Sequence, residues 1–185
     1  MNYNLSMRKK ELICGLIYLP IYIFLMPTVI GYSANGFFTF FEVRPSDAHV
    51  TLLYYFVSLL FILICMGSFL KESFRAFFDR LGQSLRASFL GYLFYVLLLY
   101  AVSILVSILI IQQVTNPNTA AVQKQLLQNS RAMMLASLVL APIVEETLFR
   151  GVIFGPLLKI NRIAAYALSF LVFAIYHVWQ YMLSG

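Results

Sequence analysis

Five long apolar runs divide the chain, at about residues 12–32, 50–70, 87–111, 131–158 and 163–183. Each is near or above the ~20 residues an α-helix needs to cross ~30 Å of hydrocarbon. Only 11% of the residues are charged and 62% are hydrophobic, so a water-soluble domain would have too little polar surface to cover itself. The sequence therefore predicts an all-α, polytopic transmembrane helix bundle of about five spans, with residues 1–185 forming a single membrane domain.

The formal charge of +6 has two readings, attraction to nucleic acid or to anionic lipid. The positions of the cations decide between them. Arg8, Lys9, Lys10, Lys71, Arg75, Arg80, Arg86, Lys159 and Arg162 flank the spans on one side, and only Arg44, Lys124 and Arg131 flank them on the other. This asymmetry puts the N-terminus in the cytoplasm and Gly185 near the outer face. It makes membrane lipids the expected partner and leaves no role for nucleic acid, whose aromatic-basic signatures are missing.

The basic residues 1–10 precede an apolar run too long for a secretory h-region, and Ser33-Ala34-Asn35 makes a poor cleavage site, so the first span is expected to stay on the chain. Cys14 and Cys65 both fall within spans and read as small packing residues. In residues 71–86, Phe74, Phe77, Phe78, Leu81 and Leu85 recur at helical spacing with charges around the other sides. That pattern predicts an interfacial amphipathic helix on the cytoplasmic leaflet, with a calmodulin-type target helix as its rival. Residues 34–49 read as an outer loop bearing Glu42, Arg44, Asp47 and a solvated His49. Asn116 to Thr119 read as a turn before a short surface helix over 120–129.

One stretch contradicts its surroundings. "APIVEETLFRG", residues 141–151, places Glu145, Glu146 and Arg150 inside the fourth span. A charge at mid-membrane costs at least ~2.5–3.5 kcal/mol, so each needs a partner. Glu146 and Arg150 stand four residues apart on one helical face and can pair. Glu145 is rotated by about 100° from Glu146 and must look elsewhere.

The fifth span offers a candidate. Counting from the short turn "KINR", Glu145 lies 14 residues back from Lys159 and His177 lies 15 forward from Arg162, so both sit about 21–22 Å from the turn. By the same count Phe173 is level with Phe149. A carboxylate facing an imidazole in a partly desolvated cavity can polarise a water, which points to hydrolysis of an amide or ester within the membrane. A salt-bridge knot, a proton relay and a packing histidine remain open. For metal, the chain has two histidines and no HExxH, so a zinc site would need Glu145, Glu146 and His177 together. No metal or other cofactor is firmly expected; a divalent ion such as zinc is the one to test. A nucleophilic serine has only Ser169 as candidate.

"EETLFR", Glu145 to Arg150, resembles the EExxxR motif, and "FAIYH", Phe173 to His177, resembles the FxxxH motif, of the CAAX prenyl endopeptidase and bacteriocin-processing (Abi) family of intramembrane proteases. The detailed resemblance covers about residues 132–181. It implies a helical membrane endopeptidase that acts on a peptide or lipid-modified protein. Eukaryotic members cut prenylated CAAX proteins; bacterial members are linked to peptide processing, bacteriocin self-immunity or surface-protein anchoring.

Carried over, the resemblance makes Glu145 the base that activates water and His177 the residue that helps to hold it. Glu146 and Arg150 would support the site, with Phe149 and Phe173 contacting substrate or packing beneath it. The expected location is a bacterial plasma membrane. The family's third motif, HxxxN or HxxxD on a later helix, is absent from this sequence, so the C-terminal helices that carry it are expected to be lacking. The rival expectation is a non-catalytic membrane interaction protein, such as a bacteriocin immunity factor.

Overall fold

The computed structural model describes residues 7–40, 45–109 and 117–184, and they form helices without any strand. Glu42, Arg44 and Asn116, and the terminal Gly185, lie outside the described residues. Six helices follow one another: α1 (Lys9–Gly36), α2 (Asp47–Asp79), α3 (Leu81–Leu109), α4 (Pro117–Gln128), α5 (Ser130–Leu158) and α6 (Arg162–Ser184). All except α4 are long and apolar enough to cross a membrane, which makes this a multi-pass membrane protein with an all-α fold.

The fourth span is the axis of the bundle. Half of the most apolar window of α5 is buried, against none of that of α3. Val144, Leu148, Phe149 and Val152 of α5 pack with Tyr18 and Tyr22 of α1 and with Ile62 and Met66 of α2. Leu97, Tyr100 and Ile108 on α3 face outward, where hydrocarbon is their natural solvent. Small residues allow the helices to approach. A Cβ on Gly15 of α1 would strike a γ-methyl of Val152, and one on Gly151 of α5 would lie 2.5 Å from Met7 Cε.

Prolines shape three of the turns. The helix widens to an i→i+5 pattern over Ile21–Leu25, Ala136–Leu140 and Glu146–Phe154, in each case ending two residues before Pro27, Pro142 or Pro156. Met26 N–H then donates to Ile21, Ala141 N–H to Ala136 and Gly155 N–H to Arg150. A proline ring crowds the carbonyl four residues earlier, and a wide turn moves that carbonyl aside. The motif "ETLFR" therefore lies on a wide turn, not on regular α-helix.

A second distortion lies in α2, at Met66 (φ −130°, ψ 19°). The buried Glu11 of α1 holds this kink. Its Oε1 accepts from Ser68 Oγ and, at 3.1 Å, from Phe69 N–H, while its Oε2 accepts from Arg8 N–H at 3.0 Å. The carboxylate thus does for the second half of α2 what an N-cap side chain does for a free helix end.

The interfacial helix expected over residues 71–86 is divided between two elements, its first part lying beyond the kink at Met66. Residues up to Asp79 continue α2, and Leu81 already begins α3, with the break at Arg80. The kink at Met66 sets these residues at an angle to the first part of α2. The loop expected over 34–49 is also shorter, because Asp47 and His49 lie in the first turn of α2. There His49 is exposed, as expected, and also bonds Ser46 Oγ through Nδ1 at 2.8 Å and Asn129 through Nε2 at 3.0 Å, which ties the start of α2 to the residue that caps α5.

Candidate active site

Glu145 finds its partners on α2 and α6. Tyr55 Oη donates to Glu145 Oε1 at 2.8 Å and Tyr176 Oη to the same oxygen at 3.5 Å. The two phenols are 3.3 Å apart, and Tyr176 shares a 2.8 Å hydrogen bond with Tyr22. Tyr54 Oη donates in turn to the Tyr22 carbonyl at 3.0 Å. Three helices besides α5 thus converge on one carboxylate. Buried phenols favour a hydrogen-bond partner, and for Tyr22, Tyr54, Tyr55 and Tyr176 the partners are one another, the Tyr22 carbonyl and Glu145.

His177 lies on the same cavity. A space of about 500 Å³ is lined by Glu145, Tyr55, Tyr176 and His177 at one end and by Thr51, Gln125 and Ser137 toward the other. His177 Nδ1 is 3.0 Å from the carbonyl of Phe173, one turn earlier. A carbonyl only accepts, so Nδ1 carries a proton. In the neutral ring Nε2 then keeps its lone pair for a group in the cavity.

Phe149 and Phe173 meet edge to face at 5.1 Å, and Phe173 lies 4.4 Å from the His177 ring. Phe149 also touches Tyr176. The two phenylalanines form a wall against which the imidazole and the phenol are set.

Glu146 and Arg150 form their expected pair, with Oε2 to Nε at 2.8 Å, but on the outer face of α5. Their side chains are 56% and 74% exposed, and neither lines the Glu145 cavity. Arg150 borders a separate space with Met7, Phe69 and Lys159. Among the described residues no group of three His, Cys, Asp or Glu side chains is placed to hold a metal ion. The set Glu145, Glu146 and His177 does not fit a zinc centre, because Glu146 turns away from the other two.

The tyrosines were missed by motif reasoning. The available signal was composition: 12 tyrosines in a largely apolar chain, with the adjacent pair Tyr54-Tyr55 inside a span, demand acceptors that an intramembrane carboxylate supplies.

Residues 127–184 match the family model Rce1-like, Type II CAAX prenyl endopeptidase Rce1-like. The match takes in both motifs and the whole of α5 and α6. The match agrees with the resemblance drawn from "EETLFR" and "FAIYH": this part of the chain is similar to the Type II CAAX prenyl endopeptidases. Searches of curated proteins and of solved structures found no match.

Proposed function

We propose that the chain is an intramembrane endopeptidase of the CAAX-processing type that hydrolyses a peptide bond with Glu145 as general base. The observation that carries this reading is the shared cavity, in which Glu145 and His177 face one space while two phenols hold Glu145 Oε1. With Oε1 so engaged, Oε2 is left to take a proton from water. The His177 Nε2 lone pair accepts the second hydrogen, which orients the water oxygen toward a substrate carbonyl. Attack forms the new C–O bond. The proton on Glu145 then passes to the departing amine as the C–N bond breaks. No step runs through a metal.

Tyr55 and Tyr176 act here as positioning residues: they fix the carboxylate rotamer and keep it from swinging toward lipid. Glu146 and Arg150 neutralise each other on the outer face of α5 and act on the site only through the helix they share. The membrane and a peptide or lipid-modified protein are the partners. The family members tied to bacteria make a bacterial plasma membrane our proposed location.

A second reading, a non-catalytic interaction protein such as an immunity factor, is favoured by one observation. The phenol chain gives Glu145 partners of its own, as a purely structural carboxylate would require. Profiling of new protein N-termini in membranes from cells expressing the wild-type chain or Glu145→Gln separates the two. Termini that appear only with wild type, at equal protein level, support hydrolysis; identical profiles leave the interaction reading standing.

A further inference from the structure

The Glu145 cavity has a direction. Glu145 is near the middle of α5, about 20 Å from either end. From there the cavity runs past Ser137 and Met133 toward the start of α5, past Thr51 at the start of α2, and under Val122 and Gln125 of α4. All of these lie toward one end of the bundle. On the opposite side of Glu145 the space is filled by Leu148, Phe149, Val152, Ile62 and Met66, all buried.

The closed end is the basic one. Arg8 reaches Glu72 at 3.8 Å there, and Arg8, Lys9 and Lys10 lie beside residues 63–68 while Lys159 lies beside Phe69. This is the end that the excess of Lys and Arg assigns to the cytoplasm. The open end is roofed by α4, held to α2 by Lys124 Nζ to Asp47 Oδ2 at 2.9 Å and by Thr51 Oγ1 to Gln125 Oε1 at 3.1 Å. Among the described residues that line the cavity there is no Lys or Arg to receive a carboxylate or phosphate.

We propose that the cavity is loaded from the non-cytoplasmic side, beneath α4, and that it takes an uncharged peptide segment presented at that face of the membrane. The chemistry done there rests on the hydrolytic reading above; the direction of loading does not. A charged C-terminal tail arriving from the cytoplasm meets the packed core of α1, α2 and α5 instead of an opening.

Cysteine labelling tests the direction without any need for activity. In a chain with Cys14 and Cys65 replaced by alanine, Ser137→Cys reports the cavity, and Gly82→Cys reports the basic side, where a side chain meets open space. Intact cells are treated with a membrane-impermeant maleimide, then permeabilised, then denatured. Labelling of Ser137→Cys in intact cells, with Gly82→Cys reacting only after permeabilisation, is the expected result. Reaction of Ser137→Cys only after permeabilisation, or only after denaturation, overturns the proposal.

The Glu145-dependent termini give the substrate arm: they are expected in uncharged segments on the non-cytoplasmic side, and a set confined to cytoplasmic segments overturns the substrate class. If no such termini form while Ser137→Cys labels from outside, the hydrolytic reading fails and the direction of loading stands.

Discussion

The Tyr55 hydroxyl donates to Glu145 Oε1 at 2.8 Å, joining residues 90 positions apart on two different helices. Because the same oxygen also faces Tyr176, removing one phenol oxygen leaves the fold but loosens the carboxylate. Tyr55→Phe is expected to lower the rate of Glu145-dependent cleavage by about 10–100-fold, since a hydrogen bond to a charged group contributes ~1.5–3 kcal/mol. The loss should fall on kcat, with KM little changed. An unchanged kcat would mean that Tyr55 only packs.

The Glu146–Arg150 pair predicts a pattern of stability, not of rate. Arg150→Ala leaves an unpartnered carboxylate in a span, so the variant should unfold more readily in detergent titration. Glu146→Ala/Arg150→Ala should recover most of that loss, because no lone charge remains. A double variant as unstable as Arg150→Ala would show that the arginine is needed for something other than this pair.

Close approach of α1 to α5 predicts a contrast between two glycines of one helix. Gly15→Ala pushes a methyl into Val152, whereas Gly31 has open space around its Cα. Overpacking costs ~1–3 kcal/mol, while removing an unconstrained helical glycine gains up to ~1 kcal/mol. Thermal unfolding should therefore fall for Gly15→Ala and hold or rise for Gly31→Ala. Equal shifts in both would contradict the packing described.

Glu11 supplies a fourth test. Glu11→Ala strips acceptors from Ser68 Oγ and Phe69 N–H at the kink of α2. Each buried donor left unsatisfied costs ~1–3 kcal/mol. The variant should be markedly less stable, and hydrogen exchange at Phe69 should speed up; unaltered exchange there would show that the kink holds without its carboxylate.

Much of this architecture was legible in the sequence, for identifiable reasons. Runs of apolar residues are read by the bilayer one helix at a time, so five spans could be counted without knowing their packing. The i, i+4 spacing of Glu146 and Arg150 and the equal heights of Phe149 and Phe173 about the turn are likewise properties of single helices and one short connection. What the sequence hid is long-range. Nothing local to Tyr55 says that it meets Glu145, or that Glu11 caps a kink at Met66. The wide turns before Pro27, Pro142 and Pro156 were also hidden, since a proline announces a distortion without saying which kind. Residues 71–86 show their amphipathic spacing in the sequence, but neither the kink at Met66 that precedes them nor the break at Arg80 that divides them is local to that pattern.

The proposed hydrolysis depends on Glu145 and His177 activating water in the cavity they both line. The most direct measurement is a paired one on purified Glu145→Gln: its thermal stability in detergent beside its ability to generate new termini in reconstituted membranes. The account predicts wild-type stability or better, since a neutral amide can still accept from Tyr55, together with loss of cleavage. Cleavage that survives in a well-folded Glu145→Gln would contradict it.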